Sequence, residues 1–172
     1  MSYSVGAVLY IKCISVKQCK ILKKYLHEKS RPKFDELVSE EEQHYVEPFE
    51  FLENPDTLKI IKKKDLLVEF HPDDTDFSEE ARELIEVLLN IVGVESIVYC
   101  ELCYEFWTKF EFHTKGKQQL LWEVELFEKI IDKKKSNRFL SDEEKKEYGR
   151  ILLDDEQGAE KVVLAISEKL EY

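Results

Sequence analysis

Cys100 and Cys103 form a C-x-x-C, a spacing that in a loop holds zinc or a redox disulfide. Here the pair lies inside a run of alternating apolar and polar residues. Residues three apart on a strand point to opposite faces, so the two sulfurs cannot share one metal. Cys13 and Cys19 fall in a strand pattern and a helix pattern. All four cysteines therefore read as thiols that pack as small hydrophobes, and no metal is expected.

The acidic stretch Asp73, Asp74, Asp76, Glu79 and Glu80 invites a calcium reading. Taking Asp74 as the first ligand of an EF-hand loop puts Asp76 and Ser78 at the third and fifth positions. The sixth is then Glu79 in place of glycine and the twelfth is Ile85 in place of glutamate, so the loop fails where its turn and its bidentate ligand are needed. Carboxylates before and within a first helical turn are what the macrodipole favours.

His71 and His113 each close a strand pattern, and with Asp73 they could meet at one sheet rim as the minimum for acid–base work. No serine or cysteine nucleophile in an elbow motif accompanies them. The five glycines, Gly6, Gly93, Gly116, Gly149 and Gly158, are too scattered for a phosphate-binding loop. Trp107 falls on the polar side of a strand among Glu101, Glu105 and Glu111, where an aromatic can anchor a partner. It packs there instead if a terminal helix covers that face.

These residues must be positioned by a short series of elements. Val5 to Ile14 has apolar residues at both parities and reads as a strand inside a sheet. Ser15 and Gln18 make a capping box for a helix to Lys29, which Arg31-Pro32 ends. Residues 31–56 read as an irregular acidic insert, with a short helix from Ser39 to Val46 and then Pro48 and Pro55. Leu58 to Phe70 reads as a hairpin turning at Lys62 to Asp65. Asp76 and Glu79 cap a helix whose stripe is Ala81, Leu84, Ile85, Leu88, Leu89 and Val92, stopped by Gly93.

From Glu95 to Phe112 one long alternation sets Val98, Cys100, Leu102, Tyr104, Phe106, Phe110 and Phe112 toward a core. Glu101, Glu105, Lys109 and Glu111 face water. Thr114 to Lys117 reads as a hairpin loop. The segment that follows, 118–131, fits a returning strand and a helix alike. Two helices close the chain, the first opened by Ser141 to Glu144 and the second striped by Ala159, Val162, Val163, Ile166 and Leu170. The expected fold is thus a single α+β domain over residues 1–172. Its mainly antiparallel sheet follows a split βαβ, ferredoxin-like order extended by a hairpin, with helices on one face and a helical C-terminus.

Charge narrows the function further. Thirty-seven Asp and Glu oppose 26 Lys and Arg, a net −11 over 172 residues, which disfavours direct nucleic-acid binding. With 43% hydrophobic and 12% aromatic residues the composition is that of a folded chain. The apolar start is broken by Lys12 and lacks a basic leader, so neither export nor a membrane span is expected, and reduced thiols point to the cytoplasm.

The reading that follows is a non-enzymatic interaction protein, monomeric or homodimeric and without cofactors. It would block or sequester a basic protein partner, as immunity proteins, antitoxin-like inhibitors and phage counter-defence proteins do. Asp73, Asp74, Glu79, Glu80 and Trp107 are its candidate contacts. The alternative is a small-molecule-binding or hydrolytic domain with a strand-end pocket at His71, Asp73 and His113.

Overall fold

The computed structural model describes residues 5–28, 57–70, 77–103, 107–125, 131–132 and 139–171. The short acidic helix expected within the insert of residues 31–56 lies outside them. In chain order the elements are β1 (Val5–Lys12), α1 (Val16–Glu28), β2 (Thr57–Ile61), β3 (Asp65–Phe70) and α2 (Phe77–Val87). They continue with β4 (Ser96–Cys103), β5 (Trp107–Thr114), β6 (Lys117–Glu125), the two-residue β7 (Ile131–Asp132), α3 (Asp142–Asp154) and α4 (Gly158–Leu170). The strands form one antiparallel sheet ordered β2-β3-β1-β4-β5-β6-β7. The architecture is α+β.

Local chemistry sets the element ends. Ser15 Oγ accepts from the Gln18 amide at 3.1 Å, while Gln18 Oε1 accepts from the Ile14 amide, so two orphan donors at the start of α1 are satisfied. The last turn of α2 widens into a π-turn over Leu88–Val92, and Gly93 closes it at φ +81°. A left-handed φ there suits glycine, which has no Cβ to clash. Ser141 and Glu144 form the expected capping box of α3, and Glu144 also accepts from Lys169 of α4. Those bonds hold the Glu144 carboxyl below the usual glutamate range, led by the Lys169 ammonium.

The helices do not gather on one face, as the chain order suggests, but cover both. Ala7, Leu9, Ile11, Ile97 and Tyr99 pack with α1 and α2 on one side. Val8, Tyr10, Val98, Cys100, Leu102 and Phe110 pack with α4 on the other. The reason is the central pair of strands: β1 and β4 are apolar at both parities, so each face needs a cover.

The long strand from Glu95 to Phe112 is also two strands, β4 and β5, paired from Ile97↔His113 to Cys103↔Trp107. Residues 103 and 107 share a parity, so the alternation passes through the reversal in phase. Periodicity alone cannot detect such a turn. The ambiguous segment after Gly116 is strand as far as Glu125. Among the described residues no helix is long and apolar enough to cross a membrane.

Ile166 is fully buried in the second core. Ile166→Asp should therefore lower stability by several kcal/mol, on the order of 4, through a buried unpaired charge. A urea midpoint equal to wild type would show that α4 is not part of the core.

Candidate functional site

Two polar features stand out, one on each side of the sheet. The first is a seam where β4 and β5 face α2. Register sets Tyr99 opposite Glu111 and Glu101 opposite Lys109, so their side chains form adjacent columns. Lys109 Nζ lies 3.5 Å from Glu101 and 3.6 Å from Glu111. His113 Nε2 approaches Glu111 Oε1 at 3.2 Å, and Gln118 Nε2 donates to Glu111 Oε2 at 2.8 Å. An ionised carboxylate only accepts, so the proton of His113 resides on Nε2 in this pairing.

Glu101 and Glu111 are each only 3% exposed. The face expected to be wet is buried, because each carboxylate there has a cation within reach. Burial pushes the Glu111 carboxyl up, but the His113 hydrogen bond and the charges of Lys109, His113 and Arg82 outweigh it and hold it below the ordinary value of 4.5.

That electrostatic balance limits the chemistry. A general base needs a free oxygen and a pKa tuned upward; both Glu111 oxygens are engaged and its pKa is lowered. Burial pushes the thiols of Cys13, Cys19 and Cys100 up, away from the nucleophilic range. The Tyr99 phenol is likewise raised, by burial first and then by Glu101. Among the described residues no three His, Cys, Asp or Glu side chains are grouped to hold a metal ion. Beside the seam, a shallow cleft of about 340 Å³ runs between α2 and the β5–β6 hairpin, lined by Arg82, Asn90, His113 and Gln118.

The second feature is the α3–α4 turn. Asp155 Oδ1 accepts from the Gln157 amide at 2.8 Å, its Oδ2 pairs with Lys161, and the Gly158 amide donates to the Asp155 carbonyl. A Cβ at Gly158 would lie 2.4 Å from the carbonyl oxygen of Ile151, so only glycine lets the two helices approach this closely. The turn then caps one end of the sheet and encloses a recess of about 250 Å³. Its acidic lining is Glu69, Asp154, Asp155, Glu156 and Glu160, and its apolar lining includes Leu102, Leu152 and Ala159.

Of the residues expected to form a site, His71, Asp73 and Asp74 lie outside the described residues. Glu79 and Glu80 occupy the first turn of α2. Trp107 opens β5, half-buried, with the Lys109 ammonium 6.0 Å from its ring centroid, a cation–π arrangement within the chain. His113 is buried in the seam, edge-on to Tyr99.

The α3–α4 recess was not anticipated. Asp154-Asp155-Glu156 is a visible acidic run between two helices, but Glu69 sits on an alternating strand 85 residues earlier, and only the topology joins them. A scan against protein-family models and searches of curated proteins and of solved structures return no match.

Because the folded pKa of Glu111 is lowered, its pairing supports the fold fully above the ordinary value of 4.5 and is lost as pH falls through the folded pKa. Glu111→Gln should cost about 1.5–3 kcal/mol at pH 7. The gap to wild type should narrow at pH 3; urea unfolding at both pH values checks this, and an unchanged gap would contradict the ionic role. Gly158→Ala should cost about 1–3 kcal/mol through the forced separation of α3 and α4, read as a lowered melting temperature.

Proposed function

We propose that this chain is a non-enzymatic interaction protein whose acidic surface binds a basic protein partner and inhibits or sequesters it, in the manner of immunity, antitoxin-like or phage counter-defence proteins. One observation carries this reading. Residues 141–172 hold ten Asp and Glu against five Lys and Arg, and the turn between their helices brings Asp154, Asp155, Glu156 and Glu160 to one recess with Glu69. A concentrated field of one sign at a concave surface steers an oppositely charged partner.

The acids at Asp73, Asp74, Glu79 and Glu80 belong to the same proposal. They follow Glu69 closely along the chain, and with Trp107 they are the contacts that this reading assigns to the partner. The buried thiols Cys13, Cys19 and Cys100, free of disulfides, support a reducing compartment such as the cytoplasm. The order β2-β3-β1-β4 supports reading the first six elements as a split βαβ, ferredoxin-like unit.

A second reading has one observation in its favour: His113 lines the cleft along α2, as a strand-end pocket with His71 and Asp73 requires. Against it stands the buried pairing of His113 with Glu111, which engages the histidine within the fold.

The test is capture of the partner from the native host with tagged protein, followed by association kinetics. The association rate should fall as salt rises past about 0.15 M, where the Debye length is roughly 8 Å, while dissociation changes little. Asp73, Asp74, Glu79 and Glu80 exchanged for Lys should slow association about tenfold or more. Recovery of no macromolecule, together with a small molecule that raises the melting temperature of wild type but not of His113→Ala, would establish the second reading instead.

A further inference from the structure

The recess at the α3–α4 turn contains a group that the fold itself leaves unfinished. Glu160 is 5% exposed, yet its buried Oε1 has no hydrogen-bond partner. Among the described residues its Oε2 meets Lys59, at 3.6 Å, beyond hydrogen-bond reach, from a side chain 54% exposed. Its place in the first turn of α4 lets the helix dipole stabilise a negative charge, but a dipole does not fill an oxygen's lone pairs. A buried acceptor left empty is costly, so a donor able to reach this carboxylate is favoured, while Oε1 itself is closed to solvent in the free chain.

The surroundings specify the donor. Asp154, Asp155, Glu156 and Glu69 line the same recess, so the donor must be cationic. Among the described residues no three acidic, histidine or cysteine side chains converge as a metal site, and a hard divalent ion needs several converging oxygens. Leu102, Leu152 and Ala159 give the recess an apolar wall, which suits a cation carried on an aliphatic stem. At about 250 Å³ the space is smaller than a typical small-molecule pocket of roughly 300–1,000 Å³, and fits one long side chain. Guanidinium, a planar and weakly hydrated fork of donors, matches a carboxylate better than ammonium does.

We infer that this recess receives an arginine side chain of the basic partner, its guanidinium donating to Glu160 and its stem lying along Leu102, Leu152 and Ala159. The inference deepens the interaction reading and rests on it for the identity of the arginine's owner. Lys59 is the internal competitor: its ammonium stands at the same carboxylate in the free protein and must yield to the incoming fork.

The experiment is titration of the full chain with N-acetyl-L-argininamide, followed by amide shifts in isotope-labelled protein. N-acetyl-L-citrullinamide serves as the neutral analogue of the same shape. Saturable shifts at residues 155–160 are expected for the arginine compound and none for citrulline. Glu160→Gln should weaken binding about tenfold. Lys59→Met should tighten it several-fold, which keeps a test in hand if the first variant folds poorly. Shifts that never saturate, or that survive Glu160→Gln unchanged, would overturn the inference.

The outcomes also separate the anchor from the interaction reading. A basic partner captured undiminished by Glu160→Gln would remove the anchor and leave the reading standing. Arginine binding at the recess without any salt-steered basic partner would do the reverse.

Discussion

The structure depends on a strand that is dry on both sides. Ala7, Leu9 and Ile11 face α1 and α2, while Val8 and Tyr10 face α4, and all five are buried. A strand like this has no wet face, so it must sit inside the sheet and be covered by two helical layers. β3 and β4 satisfy the first requirement by pairing on either side of β1. The C-terminal helices satisfy the second, which is why α4 runs across β1 and β4 and why its preceding turn arrives at the end of the sheet near Glu69. Tyr10 shows how closely the layers fit: its hydroxyl donates to the buried Asp65 at 2.6 Å, and burial together with that bond raises its pKa.

Most of this was legible in residue order. The double-sided pattern of β1, the hairpin around Lys62, the α2 stripe ending at Gly93 and the Ser141 capping box all follow from local rules. Two features were not legible, for definite reasons. The β4–β5 reversal leaves parity unchanged, so Cys103 and Trp107 look like neighbours on one long strand. The polar face of those strands looks wet because Glu101, Lys109 and Glu111 are charged, whereas cross-strand register pairs their charges and permits burial. A pattern reading weighs residues singly. The seam exists only as pairs.

The same distinction explains why the two polar features differ in kind. In the seam each negative group has a positive one assigned to it by the sheet: Lys109 stands between two glutamates, and His113 and Gln118 occupy both oxygens of Glu111. Such a network specifies packing and engages both oxygens of Glu111. At the α3–α4 turn Lys161 answers Asp155 and Lys59 stands 3.6 Å from Glu160, but the buried Oε1 of Glu160 has no hydrogen-bond partner.

The position of these acids does not follow from helix stability. Acids near a helix N-terminus stabilise the helix, and Asp142, Glu143 and Glu144 at the start of α3 do so. Asp154 stands at the other end, in the last turn of α3, where no basic residue accompanies it and the negative pole of the helix makes an acid unfavourable by about 0.3–1 kcal/mol. Selection for stability alone would place a lysine there. Local rules that are broken without a gain inside the fold mark the places where another requirement acts. Here the broken rule, the empty Glu160 oxygen and the glycine that lets the helices close over it coincide within one turn. The proposed arginine contact would account for the first two, and the glycine answers the close approach of α3 and α4.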